Sequence, residues 1–137
     1  MNWVHNGKEM KSHDDFTDDT IGFVYCITYT NGKKYIGEKT IRASRRLKPT
    51  KGQLAIRKNF KRVEVKNLPF AKYEGSSKET KGLTIAKKEI LELCSDKVNL
   101  SYCERKWQMR LDVLVDDTYI NGNIGGTYFR GRIVKGL

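Results

Sequence analysis

The sequence predicts a small α+β fold, and three observations predict it. The run Gly22-Phe-Val-Tyr-Cys-Ile-Thr-Tyr-Thr30 is rich in β-branched and aromatic residues and meets Lys33-Lys-Tyr-Ile-Gly37 across Asn31-Gly32. Asn-Gly between two strand-like runs is the strongest short-range hairpin signal, because a two-residue type I′ turn needs positive φ at both positions. Near the other end, Leu100, Cys103, Trp107, Leu111 and Leu114 recur at spacings of three and four, the apolar stripe of an amphipathic helix over 101–115. Between them, 87–94 carries Ile90, Leu91 and Leu93, which satisfy neither the strand nor the helix period cleanly; it is read as a third strand.

The remaining elements follow in order. Residues 1–20 read as an N-terminal extension, 21–126 as the core and 127–137 as a basic tail, all within one domain of 137 residues. The run 40–47 mixes helix formers with arginines and Pro49 ends it, which predicts a short helix or turn presenting Arg42, Arg45 and Arg46. The stretch 50–66 is basic, with a short strand near Arg62 to Val65, and 69–77 holds aromatics and a Gly-Ser-Ser turn signal. Glu104 lies at the margin of the helix stripe, so it can point toward a sheet surface. Asn121-Gly-Asn-Ile-Gly-Gly126 reads as a glycine-rich loop, followed by an irregular end carrying Arg130 and Arg132.

Composition narrows the function. No stretch approaches the roughly 18 apolar residues of a membrane-spanning helix. Residues 1–19 mix Lys8, Lys11 and five acidic residues without an apolar signal core, so the expected location is the cytoplasm. Cys26, Cys94 and Cys103 are an odd number without a C-x-x-C pair, which fits reduced thiols packing as small hydrophobes. The 27 Lys and Arg against 16 Asp and Glu leave a net charge of +11, which favours a polyanionic partner. The charge is concentrated in one stretch: Lys33, Lys34, Lys39, Arg42, Arg45, Arg46, Lys48, Lys51, Arg57, Lys58, Lys61, Arg62 and Lys66 stand against only Glu38 and Glu64.

The hairpin brings Tyr25 and Tyr35 onto adjacent strands, near glycines that let a phosphate backbone approach closely. Tyrosine is a common strand residue, and packing is its ordinary role; the whole pattern says more. Gly22-Phe23-Val24-Tyr25, then Tyr35-Ile36-Gly37, then Arg45 ten residues past Tyr35, Glu104 within a helix and Asn121 after it resemble, in order and spacing, the GIY-YIG nuclease family. The resemblance covers 21–126, and with Tyr73-Glu-Gly-Ser-Ser77 it looks like small phage-encoded, homing-type members, which would place the protein in a host cytoplasm.

The resemblance implies a central antiparallel sheet of three strands flanked by helices. It implies a DNA endonuclease using Mg²⁺ or Mn²⁺, with Tyr25, Tyr35, Arg45, Glu104 and Asn121 as catalytic residues and Glu104 as the metal residue. Such a site must help water attack a phosphodiester, which needs a base, a divalent cation and positive charge for the developing phosphorane. Either phenol would act as base or orient the water, and as a base it would need its pKa near 10 lowered by cations such as Lys33, Lys34, Lys39 and Arg45. Arg45 would hold the scissile phosphate bidentately, and Asn121 would fix the site by side-chain hydrogen bonds. Lys33, Lys34, Lys39, Arg42, Arg46, Lys48, Lys51, Arg57, Lys58, Lys61 and Arg62, with Arg130 and Arg132, would contact DNA.

Two positions depart from the family pattern. Glu38 stands where a cation often follows Tyr-Ile-Gly, so either Lys39 fills that role, or Glu38 adds a carboxylate that alters metal affinity, or phosphate binding is weakened. Pro49 stands where the family often has His or Tyr. The alternatives are therefore a non-catalytic DNA-binding protein that keeps the fold, or a repair or RNA-directed nuclease. With so little surface beyond the core, a homodimer or loose specificity would follow.

Overall fold

The computed structural model describes residues 1–58 and 62–134. Residues 1–20, expected as an extension, instead form β1 (Trp3–His5) and β2 (Lys8–Met10), antiparallel strands joined through Asn6-Gly7. Both turn residues have positive φ, 49° and 83°, the signature of a type I′ turn. Three-residue strands are too short to show alternation in sequence. They are held by burial: Trp3 and Met10 are in the core, and Trp3 Nε1 donates to Phe70 O at 3.1 Å.

The next hairpin is β3 (Gly22–Tyr29) and β4 (Lys34–Thr40), paired from Gly22↔Thr40 to Thr28↔Lys34. Its turn differs from the two-residue form expected. Among its residues only Gly32 has positive φ, 84°, and Gly32 N–H donates to Tyr29 O at 2.9 Å. This is a longer turn closed by a left-handed glycine, as in a bulged hairpin.

The expectation of a helix or turn over 40–47 is corrected. The segment is β5 (Arg42–Leu47), paired antiparallel with β6 (Arg62–Asn67), and the two make a ribbon separate from the main sheet. A strand is stabilised by its partner, and Arg45 pairs with Glu64, 19 positions away, too far for a local pattern to reveal. Between them, α1 (Lys51–Ile56) is capped by Thr50, whose Oγ1 accepts from Gln53 N–H at 3.2 Å.

The third strand is β7 (Ile85–Cys94). Its register against β3 jumps from Val24↔Glu92 to Tyr25↔Ile90, leaving Leu91 as the extra residue of a bulge. Ile90 and Leu93 then pack on one face and Leu91 and Cys94 on the other, which is why the segment fits no single period. Helix α2 (Lys97–Arg110) is capped by Asp96, which accepts from Asn99 N–H. It ends before the expected 115, where Asp112 turns left-handed at φ 51°. The tail expected to be irregular contains a small hairpin, β8 (Asn123–Ile124) with β9 (Tyr128–Phe129).

The main sheet has the order β2-β1-β7-β3-β4, with β1 parallel to β7. It is a mixed five-stranded sheet rather than a three-stranded antiparallel one, and the three predicted strands are its antiparallel part. One face carries an aromatic cluster around Trp3, Phe23, Tyr25 and Phe70. The other is covered by α2 through Leu100, Cys103 and Trp107, with Leu111 and Leu114 just beyond the helix. All three cysteines are free and buried in that second cluster. Among the described residues no helix is long and apolar enough to cross a membrane.

Candidate active site

The site forms at the outer edge of β4, and glycines make it possible. Gly37 lies opposite Tyr25 in the β3–β4 ladder. A Cβ at Gly37 would stand 2.5 Å from Tyr25 Oη and 3.0 Å from the Tyr35 ring, so the Tyr25 phenol lies across β4 only because residue 37 has no side chain. Gly22 is needed for packing: its Cβ would meet Leu100 Cδ2 at 2.6 Å and Lys39 O at 2.7 Å. The motif glycines thus seat one phenol and one helix.

Tyr25 and Tyr35 have ring centroids 6.4 Å apart, and Tyr73 packs edge-on to Tyr25 at 6.0 Å. Tyr25 hydrogen-bonds Tyr73, and Tyr35 hydrogen-bonds Ser77. Burial is the main force raising the pKa of both phenols, and the Glu104 charge acts the same way. This corrects the expectation of a cation-depressed phenol. Lys33 Nζ donates instead to Asp117 O at 2.6 Å, and Arg45 pairs with Glu64 at 3.1 Å. Burial therefore disfavours the ionised form of both phenols.

Helix α2 carries Glu104 to the same edge, where its carboxylate accepts the Glu38 N–H. Burial, then the neighbouring Glu38 carboxylate, push the Glu104 carboxyl up to about 7, against a smaller opposing pull from Arg105. Burial likewise raises Glu38, opposed by Lys97 and Arg105. Glu38 Oε2 is buried with no hydrogen-bond partner among the described residues. The position after Tyr-Ile-Gly therefore holds a second carboxylate beside the first, with an oxygen free to accept.

Asn121 is 1% exposed. Its Oδ1 accepts Ile36 N–H at 3.1 Å and its Nδ2 donates to Ile36 O at 2.8 Å, joined on that carbonyl by Gln108 Nε2 at 3.1 Å. The side chain mimics a neighbouring strand and holds the Ile36 peptide between Tyr35 and Gly37. Backbone bonds extend the same cover: Lys34 N–H donates to Thr118 O, and Ile120 N–H to Lys34 O.

A family model described as "Putative endonuclease segE, GIY-YIG domain" matches residues 3–124. The chain belongs to the GIY-YIG endonuclease family. No curated protein and no solved structure matches it. The match begins at residue 3, and so takes in the β1–β2 hairpin that seats Trp3 against Tyr25 at 5.0 Å.

Of the residues expected in this GIY-YIG site, the structure brings together Tyr25, Tyr35, Glu104 and Asn121. Arg45 stands on the β5–β6 ribbon. Arg42 is not offered to a partner: its guanidinium is buried, donating to Thr17 O, Thr20 O and His13 O at 2.6–3.0 Å. Arg130 likewise donates to Asn121 O, Tyr119 O and Val113 O, tying down the loop that carries Asn121. Arg42, expected as a DNA contact, is corrected, because a cation enclosed by carbonyls cannot also face a phosphate; Arg130, expected likewise, is half-buried and serves to hold that loop. Lys34 and Lys39 are half-buried, with Lys39 Nζ 4.6 Å from the Tyr73 ring centroid. Arg46, Lys48, Lys51, Arg57, Lys58, Arg62 and Arg132 are exposed. Lys61 lies outside the described residues.

Sequence reasoning gave no site role to Tyr73, Ser77, Lys97, Arg105 or Gln108. The signal for the first two was the Tyr73 to Ser77 segment; for Arg105 it was adjacency to Glu104. Among the described residues a second group, Glu92, Cys94 and Cys103, has ligating atoms within 4.8 Å of one another. It fits a cation poorly. Glu92 is engaged by Lys106, Trp107 and Cys103, and burial pushes the Cys94 thiol up to about 12, far from the thiolate a metal takes.

Proposed function

We propose that this chain is a divalent-metal-dependent endonuclease that hydrolyses phosphodiester bonds of DNA. The observation that carries it is the convergence of Glu104, Glu38, Tyr25 and Tyr35 on the edge of β4 that Asn121 and Gln108 hold in place. Glu104 would hold the cation with Glu38 beside it. The donors are all oxygen, and the unpartnered Glu38 Oε2 fits a ligand for a hard cation such as Mg²⁺ or Mn²⁺. Bound there, the cation supplies Lewis-acid polarisation of a phosphate oxygen and a water of lowered pKa.

The chain's own groups divide the rest. Tyr25 is 2% exposed and backs Tyr35; Tyr35 is only half-buried, so its hydroxyl is the one in reach of water and phosphate. It orients the attacking water by hydrogen bonding rather than by taking its proton. Arg105 and Lys97, whose charges already act on the carboxylates, are the cations best placed for negative charge developing on the phosphate. Arg45, expected on the scissile phosphate, takes the flanking backbone from the ribbon.

The test is supercoiled plasmid incubated with Mg²⁺, Mn²⁺ or EDTA, beside Glu104→Ala and Glu38→Gln. Nicked or linear product that needs the metal, disappears in Glu104→Ala and demands more metal in Glu38→Gln is expected. Intact plasmid under every condition, with DNA still bound, would favour the non-catalytic reading that Glu38 raises.

A further inference from the structure

The β5–β6 ribbon and the segment joining its strands are strongly basic. Over 43–58 and 62–66 they carry eight Lys and Arg and one Glu, a net +7 of the chain's +11. Every residue of β6 is exposed. The ribbon's two faces differ. One carries Arg45 and Glu64 in an ion pair at 3.1 Å. The other carries Ser44 and Arg46 opposite Val65 and Val63, with the valines 63% and 57% exposed. That face therefore offers two exposed β-branched side chains beside an arginine that forms no ion pair among the described residues.

The root of the ribbon is fastened. The His13 ring Nε2 lies 3.0 Å from Ile41 O and 2.9 Å from Leu68 O. Both are acceptors, so Nε2 carries the proton and clamps the entry and exit of the ribbon together. Leu68 N–H donates to Ile41 O at 2.8 Å, and the buried Arg42 anchors the first residue of β5 to the 13–20 segment. A projecting element held at its root by buried hydrogen bonds has a set direction, which a merely solvated loop does not need.

We propose that this ribbon enters the major groove of duplex DNA, with Ser44, Arg46, Val63 and Val65 toward the base edges and the flanking cations on the phosphates. A two-stranded ribbon fits the ~12 Å width of the major groove. Six residues at ~3.4 Å each span ~20 Å, which is about six base pairs at ~3.4 Å per pair. Arginine suits guanine O6 and N7, and apolar side chains suit the thymine methyl. The ribbon thus supplies the sequence reading that the compact core lacks. The inference shares its partner with the nuclease reading but does not depend on cleavage.

The experiment uses the full chain as Glu104→Gln, so that DNA stays intact, and measures binding to a random duplex pool of about 30 base pairs, several times the ~6 the ribbon spans, over a salt series. Removing Lys48, Arg62 and Lys66 together should flatten the salt slope by ~0.9 for each phosphate no longer neutralised. Val63→Ser with Arg46→Ala should change or erase the sequence motif enriched from the pool, and 7-deazaguanine, which lacks the major-groove N7, should mimic that effect. These positions are exposed, so circular dichroism should be unchanged. An unchanged slope and motif in the ribbon variants would overturn the proposal, as would competition by a minor-groove ligand in place of the 7-deazaguanine effect. Wild type that binds through the ribbon but cuts nothing would leave this proposal standing and the nuclease reading refuted.

Discussion

Glu104→Gln should stabilise the metal-free protein at neutral pH while abolishing cleavage. Burial first and Glu38 second raise the Glu104 carboxyl from 4.5 to about 7. Between those values the unfolded chain has released the proton that the folded chain still holds. Stability therefore falls as pH rises through that window, and levels off above it. The window is about 2.5 pH units, or ~3.4 kcal/mol at ~1.36 kcal/mol per unit; partial exposure reduces this to about 2–3 kcal/mol. Glutamine keeps an oxygen for the Glu38 N–H and has no proton to lose. At about pH 8 in EDTA the variant should melt about 6–12 °C higher, at ~3–4 °C per kcal/mol for a chain of this size, and at about pH 4.5 the two proteins should coincide. Added Mg²⁺ or Mn²⁺ should raise the wild-type Tm and leave the variant unmoved. Thermal melts at several pH values read all of this. Equal melting near pH 8 in EDTA would refute the buried, carboxylate-paired Glu104, whatever the gels show. Because the cation competes with that proton, cleavage by wild type should climb as pH rises through about 7.

Gly37→Ala puts a methyl 2.5 Å from Tyr25 Oη, and Tyr25 is hemmed in by Trp3 and Tyr73; urea unfolding should show destabilisation by about 1–3 kcal/mol, with nicking reduced further still. Asn121→Ala strips two hydrogen bonds from the Ile36 peptide and leaves a buried N–H alone, so stability should fall by about 2–4 kcal/mol; a stability within about 0.5 kcal/mol of wild type, roughly the range of a neutral surface change, would show that other groups hold the edge. Arg42→Ala should cost about 3 kcal/mol, since three carbonyls lose a buried charged donor. In a properly folded sample it should leave the salt dependence of DNA binding unchanged, and a flattened slope would return Arg42 to the DNA contacts.

The parts legible in sequence were those whose cause is local. The β3–β4 hairpin is written in Asn31-Gly32 and the runs beside it, and α2 in a stripe whose members all reach the core on one side. The cysteines' fate followed from their number and spacing. Glycines at 22 and 37 marked the motif, although the reason for them is visible only in what a side chain there would strike. Even a strong local signal can be passed over: Asn6-Gly7 is the same dipeptide as Asn31-Gly32, but the strands beside it are three residues long.

What only the tertiary structure decided depends on neighbours far away in sequence. The ribbon needs β6 for β5 to be a strand, and the bulge at Leu91 hides the period of β7. Arg42 and Arg46 read alike in sequence, yet one is enclosed by carbonyls of the 13–20 segment and the other is exposed. The same holds for charge at the site. Residue identity set which groups could ionise, while burial and the meeting of Glu38 with Glu104, 66 positions apart, push one carboxyl up to about 7 and raise both phenols. A proton's free energy depends on the solvent and charge within a few ångströms, and the fold alone determines that environment.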